Sequence, residues 1–307
     1  MKDLNMDHLI ICDEVRQALS NKEAVVALES TVITHGLPHP TNLKTALAME
    51  TAVRAANAVP ATIALMDGKI RVGLSEQELT SLAACETASK VSVRDFAGVI
   101  LKKKTGGTTV AATMAAAMMA NIRVFATGGI GGVHRDSVFD ISADLPTLAK
   151  TPMLVICSGA KSILDLPATR EYLETQAIPV VGFQTDAFPA FFSTDSGLKV
   201  DYRLEDPGEI ASLAKTHWAF GFSSAILVTV PPPQEKALES AEIDQAISSA
   251  LEEAKHEKIT GSAVTPYLLK KVNEATNRKS MAVNTALLEN NARVAGEIAV
   301  CLSKMAI

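Results

Sequence analysis

An α/β chain, with a mainly parallel sheet covered by helices on both faces, is the fold class this sequence predicts. Short β-branched runs alternate with helical patterns from end to end, the order that builds βαβ units. The runs are apolar at consecutive positions, as in Ala24–Leu28 (AVVAL) and Met153–Cys157 (MLVIC), which suits strands buried on both faces. No internal repeat or low-complexity linker divides the 307 residues. The triproline at 231–233 leaves too little chain behind it for an independent domain. A single domain over 1–307 is expected, with the helical part from about 234 packing on it.

Taken in order, Ala24–Leu28 reads as a strand and Asn42–Ala56 as a helix. Ala61–Leu65 is a strand, and Asp67-Gly68 turns it into Lys69–Val72. Ser75–Ala84 is a helix whose Ser75 and Glu78 have capping-box spacing. Gly106-Gly107 open a buried helix over Thr108–Met119, and Val124–Thr127 is a strand ending in Gly128-Gly129. After the Met153–Cys157 strand, Ser162–Leu166 reads as the start of a helix. Pro179–Gln184 and Ala225–Val230 are strands. Ile243–Glu257, Pro266–Thr276 and Thr285–Ser303 are amphipathic helices.

Composition narrows the function. With 48% hydrophobic and 21% charged residues the profile is that of a soluble globular protein. A net charge of −5 argues against a nucleic-acid or anionic-membrane partner, and Lys102–Lys104 is too short a basic run to reverse that. Cys12, Cys85, Cys157 and Cys301 form no CxxC or metal-like cluster, so a reduced, cytoplasmic protein is expected. The acidic N-terminal stretch is no signal peptide, and no apolar run has membrane-spanning length.

Five segments carry candidate chemistry. Lys161 follows a buried strand and a Ser-Gly-Ala turn, at the sheet edge where α/β proteins bind ligands. Beside a helix start its charged form would be disfavoured, which suits a Schiff-base nucleophile. The plain alternative is an ion pair with Asp165. Glu29 ends the Ala24–Leu28 strand, and partial desolvation there would fit it to act as a general acid. Otherwise it caps the following Ser-Thr turn. His35 is a base by type, or else shapes its loop. Thr105–Val110 reads as an anion nest before a helix or as a simple glycine hairpin, and lacks a Walker lysine. Thr127–Arg135 places four glycines in five positions, either letting backbone approach a ligand, with His134 and Arg135 as donors, or forming a flexible loop. In Asp136–Leu145, Asp140 and Asp144 would share a face on a helix, or hold a hard divalent cation on a loop, or sit at the surface. Asn284, Asn290 and Asn291 suit a nucleobase edge, or are solvated or capping.

The stretches ALESTVITHGLPHP, KVSVRD, GGTTVAATM, TGGIGGVHR, FDISADL, GAKSILD, GFQTDAFPAFF, VTPYLL and NTALLENNARVAGEIA run in one order from about Cys12 to Ser303. The ordered set resembles the pseudouridine-5′-phosphate glycosidase family, also called indigoidine synthase A-like. The resemblance implies an α/β/α sandwich, usually a homotrimer. It implies a lyase of the hydro-lyase type that reversibly splits pseudouridine 5′-phosphate into uracil and ribose 5-phosphate. In that match Glu29 is the proton donor, Lys161 the covalent nucleophile and Asp140 the ligand of Mn2+, for which Mg2+ is a chemical substitute. Lys90, Val110, Ser142, Ala143 and Asp144 match substrate-binding positions, and Thr109, His134 and Asn284 match the uracil or ribose pocket. Val93, His39, Asn277–Lys279 and the short 136–138 spacer depart from the family pattern. A lyase or aldolase on another sugar phosphate would keep Lys161 and lose the uracil pocket. A sugar-phosphate sensor would bind without a covalent adduct.

Overall fold

A computed structural model describes residues 7–135, 139–259 and 264–305. The chain begins with β1 (Leu9–Ile11), α1 (Asp13–Ser20), β2 (Val25–Leu28), α2 (Thr41–Ala55), β3 (Val59–Met66) and β4 (Lys69–Val72). There follow α3 (Glu76–Ala83), β5 (Ser89–Val91), α4 (Phe96–Leu101), β6 (Gly106–Thr108), α5 (Val110–Met119) and β7 (Val124–Ala126). Next come α6 (Asp144–Leu148), β8 (Leu154–Cys157), α7 (Leu166–Thr175), β9 (Val180–Phe183), β10 (Tyr202–Leu204), α8 (Pro207–Ala219) and β11 (Ile226–Thr229). Three helices close the chain: α9 (Ser240–His256), α10 (Val264–Ala275) and α11 (Lys279–Ser303).

The main sheet runs β1-β4-β3-β2-β7-β8-β11-β9-β10, and every pair from β3 to β10 is parallel. All residues of β2, β7, β8, β9 and β11 are buried. Neighbouring residues on a strand point to opposite faces, so both faces are covered, as the apolar runs predict. Helix α11 packs across β2, β7 and β8 and against α2 and α8, while α1 and α5 pack on β2 and β3. No helix among the described residues is long and apolar enough to cross a membrane.

Strand order reverses between β2 and β7. The chain leaves β2 for β3 on one side, whereas β7, on the other side of β2, leads outward to β8. Such a switch point opens a crevice beyond the carboxyl ends of its strands. Here those ends are Glu29 and Thr127.

The same region explains why β2 stops. The first half of β3 pairs with β2, and its second half with β6 at Ala64↔Gly107. β6 thus takes the edge of β3 that β2 vacates. Ser30 Oγ and Thr108 Oγ1 both donate to the Ile63 carbonyl at this junction, at 2.6 and 2.7 Å. Residues Val32–Gly36 must leave the sheet, and they do so as a π-helical turn.

Three local expectations need correction. Gly106-Gly107 form strand β6 rather than a loop, because Gly107 lies against Ser30 and Thr34 too closely for any side chain. The last helix starts at Lys279, not Thr285: Asn277 and Arg278 take left-handed φ of 50° and 65°, giving a tight turn without glycine. Ser162–Leu164 is a turn, and α7 begins at Leu166 with Asp165 capping the Ala168 amide. The predicted Ser75–Glu78 capping box is present. The 136–138 spacer, with Asp136, lies outside the described residues.

Candidate active site

Glu29 follows four buried apolar residues and is itself only 7% exposed. Its Oε1 accepts a short hydrogen bond from Thr127 Oγ1, so it is held by a side chain across the switch point rather than by the Ser-Thr turn. Burial pushes its carboxyl pKa up. Lys161, the Thr127 hydroxyl and Lys90 pull it back, while Asp144 adds to the rise. That balance keeps a proton available well above the ordinary carboxylate range.

Lys161 follows β8 through Ser158-Gly159-Ala160. Gly159 has φ +80°, and a Cβ there would lie 2.2 Å from the Pro189 carbonyl. The Lys161 amide donates to Ile130 O at 3.1 Å and its carbonyl accepts from Leu164 at 3.0 Å. The backbone therefore fixes the loop without help from the side chain. The expected helix does not begin at Ser162: α7 starts at Leu166, and Asp165 is engaged as its cap. The Lys161 charge instead acts on Glu29 and Lys90.

Lys90 sits on β5 in register with Gly107. Burial lowers its pKa, repulsion from Lys161 adds to this, and Asp144 and Glu29 oppose it. Glu29, Lys90, Asp144 and Lys161 therefore form one coupled cluster. His35 lies at its margin, with Nδ1 2.7 Å from Thr34 Oγ1; burial, then the Lys90 charge, lowers its pKa. The Cys157 thiol is pushed up to about 12 by burial, so Cys157 does not compete with Lys161 as a nucleophile.

Asp144, at the start of α6, is buried and ties two segments together. Its Oδ1 accepts from the Ala111 amide at 2.9 Å and its Oδ2 from the Gly131 amide at 2.7 Å. The expected phosphate nest at α5 is thus partly filled from within, and Thr109 Oγ1 caps Ala112 at 3.3 Å. Val110 is buried in the first turn. The glycines of the 128–132 loop likewise approach protein rather than leave room for a ligand: a Cβ on Gly131 would fall 2.2 Å from Ser142 Oγ. Arg135 does not present its guanidinium to a phosphate, because it donates to the carbonyls of Leu164 and Ser162, both at 3.1 Å.

Asp140 and Asp144 do not share a helix face. Asp144 is buried at the α6 start, whereas the Asp140 side chain is 51% exposed, 3.8 Å from His134 Nδ1. Ser142 and Ala143 link them, with Ser142 Oγ accepting from the Asp144 amide at 3.2 Å. No three His, Cys, Asp or Glu side chains converge on a metal-sized space among the described residues. A hard cation on Asp140 would have to complete its shell with water and phosphate oxygens, a donor set that magnesium-type ions accept. Asn284 lies on α11 one turn before Leu287, which packs over Gly128 at the end of β7. Asn291 is buried and does not face a base: its amide joins Thr127 to Ser158. Thr127 was not among the candidates, although it ends an apolar strand just as Glu29 does.

The model of the family described as "Indigoidine synthase A like protein" matches residues 14–301. A protein of Caldanaerobacter subterraneus subsp. tengcongensis named pseudouridine-5′-phosphate glycosidase is 51% identical over 96% of this chain and 97% of its own length. A Geobacillus kaustophilus protein of the same name is 50% identical, over 95% and 98%. Among solved structures, a prealnumycin C-glycosynthase in complex with ribulose 5-phosphate superposes with TM-score 0.90 and 40% identity, covering 97% of each chain. An indigoidine synthase A-like protein of Thermotoga maritima superposes with TM-score 0.91 and 35% identity, covering 99% of each.

Proposed function

The chain belongs to the indigoidine synthase A-like family of enzymes, and from that premise we propose that it cleaves the C–C glycosidic bond of pseudouridine 5′-phosphate, reversibly, through an imine on Lys161. The observation that carries the reading is the placement of a buried Glu29 and a lysine at the carboxyl ends of β2 and β8, on either side of β7.

A bond between ribose C1′ and uracil C5 has no leaving-group nitrogen to protonate, so C5 itself must take the proton and C1′ must receive an electron pair as the bond breaks. Glu29 gives its proton to the ring oxygen as the C1′–O4′ bond breaks, pushed by the uracil nitrogen. Lys161 Nζ adds to C1′ through its lone pair and returns a proton to the Glu29 carboxylate. Protonation of C5 then releases uracil as the nitrogen lone pair forms the imine. Water hydrolyses that imine to ribose 5-phosphate and free Lys161. Lys90 is placed to bind a sugar oxygen or the phosphate, while Ser142, Ala143, Thr109, Val110, His134 and Asn284 line the substrate site. Asp144 shapes that site by joining the 131 loop to α5. The C-glycosynthase neighbour fits the same step run in reverse.

The test is release of uracil and ribose 5-phosphate from pseudouridine 5′-phosphate, followed by chromatography. Trapping of another sugar phosphate without uracil release would favour the aldolase reading, and binding with no adduct the sensor reading. A manganese or magnesium ion on Asp140 would supply positive charge for the phosphate. Titration of Mn2+ in the presence of ribose 5-phosphate is expected to show binding that Asp140→Asn loses; retained binding would place the ion elsewhere. The proposed assembly is a homotrimer, for which light scattering should give three times the 32.4 kDa of one chain.

A further inference from the structure

Helix α11 carries one amide that the proposed chemistry does not use. Asn291 is 0% exposed, on a helix face otherwise made of Leu287, Leu288, Ala292 and Ala295. An amide buried in such a face is unfavourable unless every polar atom finds a partner. Here each does. Nδ2 donates to the Thr127 carbonyl at 2.9 Å and to Ser158 Oγ at 3.1 Å, and Oδ1 lies 3.4 Å from the same hydroxyl. A carbonyl only accepts, so the nitrogen of the amide must face Thr127.

The two residues joined this way end β7, whose Thr127 holds the acid, and β8, which leads to the nucleophile. The last regular pair between β7 and β8 is Ala126↔Ile156, and Thr127 and Ser158 lie just beyond it. Thr127 Oγ1 holds the Glu29 carboxyl. Ser158 begins the turn that ends in Lys161 three residues later. The backbone still bonds across this gap, from Thr127 to Ile156 at 3.0 Å and from Ser158 to Gly128 at 2.8 Å. The Asn291 amide is a side-chain tie that joins both ends to α11.

We infer that Asn291 is a positioning residue that sets the place of Glu29 relative to Lys161, acting through Thr127 and Ser158. The inference rests on the preceding reading of Glu29 as acid and Lys161 as nucleophile. An amide suits the task because it donates to a carbonyl while also pairing with a hydroxyl. A carboxylate of the same shape cannot donate, and leucine can do neither.

The test compares Asn291→Leu and Asn291→Asp with the wild type in uracil release, thermal unfolding and borohydride trapping of ribose 5-phosphate. A misplacement of reacting groups by about 1 Å costs on the order of 100-fold. Expected for Asn291→Leu is cooperative unfolding, KM within about twofold of wild type and kcat lower by roughly 10- to 100-fold, with the trapping rate falling in step. A folded Asn291→Leu with wild-type kcat overturns the inference, and a lowered Tm with kcat unchanged leaves Asn291 a merely structural residue. If neither Asn291 variant folds, Ser158→Ala removes only the shared hydroxyl. It should lower kcat by roughly 5- to 10-fold at constant KM, and unchanged kcat there is equally fatal. A wild type that neither releases uracil nor traps the sugar phosphate brings down the functional reading and this one together. A wild type that turns over beside an equally active variant brings down this one alone.

Discussion

Lys161→Ala is expected to release no measurable uracil while unfolding at nearly the wild-type temperature. The second half of that result follows from the backbone. The Lys161 amide and carbonyl are bonded to Ile130 and Leu164, Gly159 supplies the turn, and Arg135 holds the Ser162 and Leu164 carbonyls. Little of the loop's geometry depends on the ammonium. The first half follows from the chemistry, because without an amine at C1′ no lone pair replaces the C1′–C5 bond as its electrons leave with uracil. Lys90 makes the experiment sharper. Burial and the Lys161 charge lower its pKa, so by that criterion it too is suited to attack a carbonyl. Trapping ribose 5-phosphate with borohydride and mapping the adduct separates the two. An adduct on Lys161, absent from Lys161→Ala, assigns the nucleophile. An adduct on Lys90 that survives in Lys161→Ala transfers the role to Lys90 and makes Lys161 the residue that lowers its pKa.

The central strands β2, β7, β8, β9 and β11 were legible because each is a short apolar run closed by glycine, proline or a polar turn, and both faces of the sheet demand the same residues; the three-residue strands β1, β5, β6 and β10 were not. Glu29 and Lys161 were legible for the same reason: a charge directly after such a run must stand at the sheet's carboxyl edge. What surrounds them was not. Which strand lies beside β2 is a matter of topology, and only that brings Thr127 to Glu29 from 98 positions away. Gly106-Gly107 read as a loop because glycine is a turn residue. In the fold they are a strand, since the space beside Ser30 admits nothing larger. The 128–132 glycines read as room for a ligand, yet Ser142, Thr169 and Phe191 occupy that room. Asn291 looked like a reader of bases because amides can be, and its true partners are a carbonyl and a hydroxyl on two strands. Composition names the groups that can make contacts; long-range packing decides which contacts they make.

Glu29→Gln should disable the enzyme and stabilise it at once. Glutamine keeps the oxygen that accepts from Thr127 Oγ1, so the junction at the switch point is preserved. It has no proton to give to the ring oxygen, and loss of a general acid of this kind costs about 10²–10⁴-fold in rate. The stability change follows from linkage. Burial raises the folded-state pKa of Glu29 above that of the unfolded chain, near 4.5. Below both values the carboxyl is protonated in either state and contributes no difference. Above the unfolded value the unfolded chain gives up its proton while the folded chain keeps one, so wild-type stability falls as pH rises towards the folded pKa. Glutamine does not ionise and escapes that loss. The Tm of Glu29→Gln should therefore match wild type in acid and exceed it increasingly as pH rises above the unfolded-state value. The wild-type rate should also decline as pH climbs through the Glu29 pKa, and the residual rate of the variant should lack that limb. A variant equally active, or one whose Tm falls below wild type as pH rises, would show that Glu29 is an ionised structural carboxylate and that the proton comes from elsewhere. An acid kept uncharged against its preference in the unfolded chain is a strained group, and such strain persists where the site uses it.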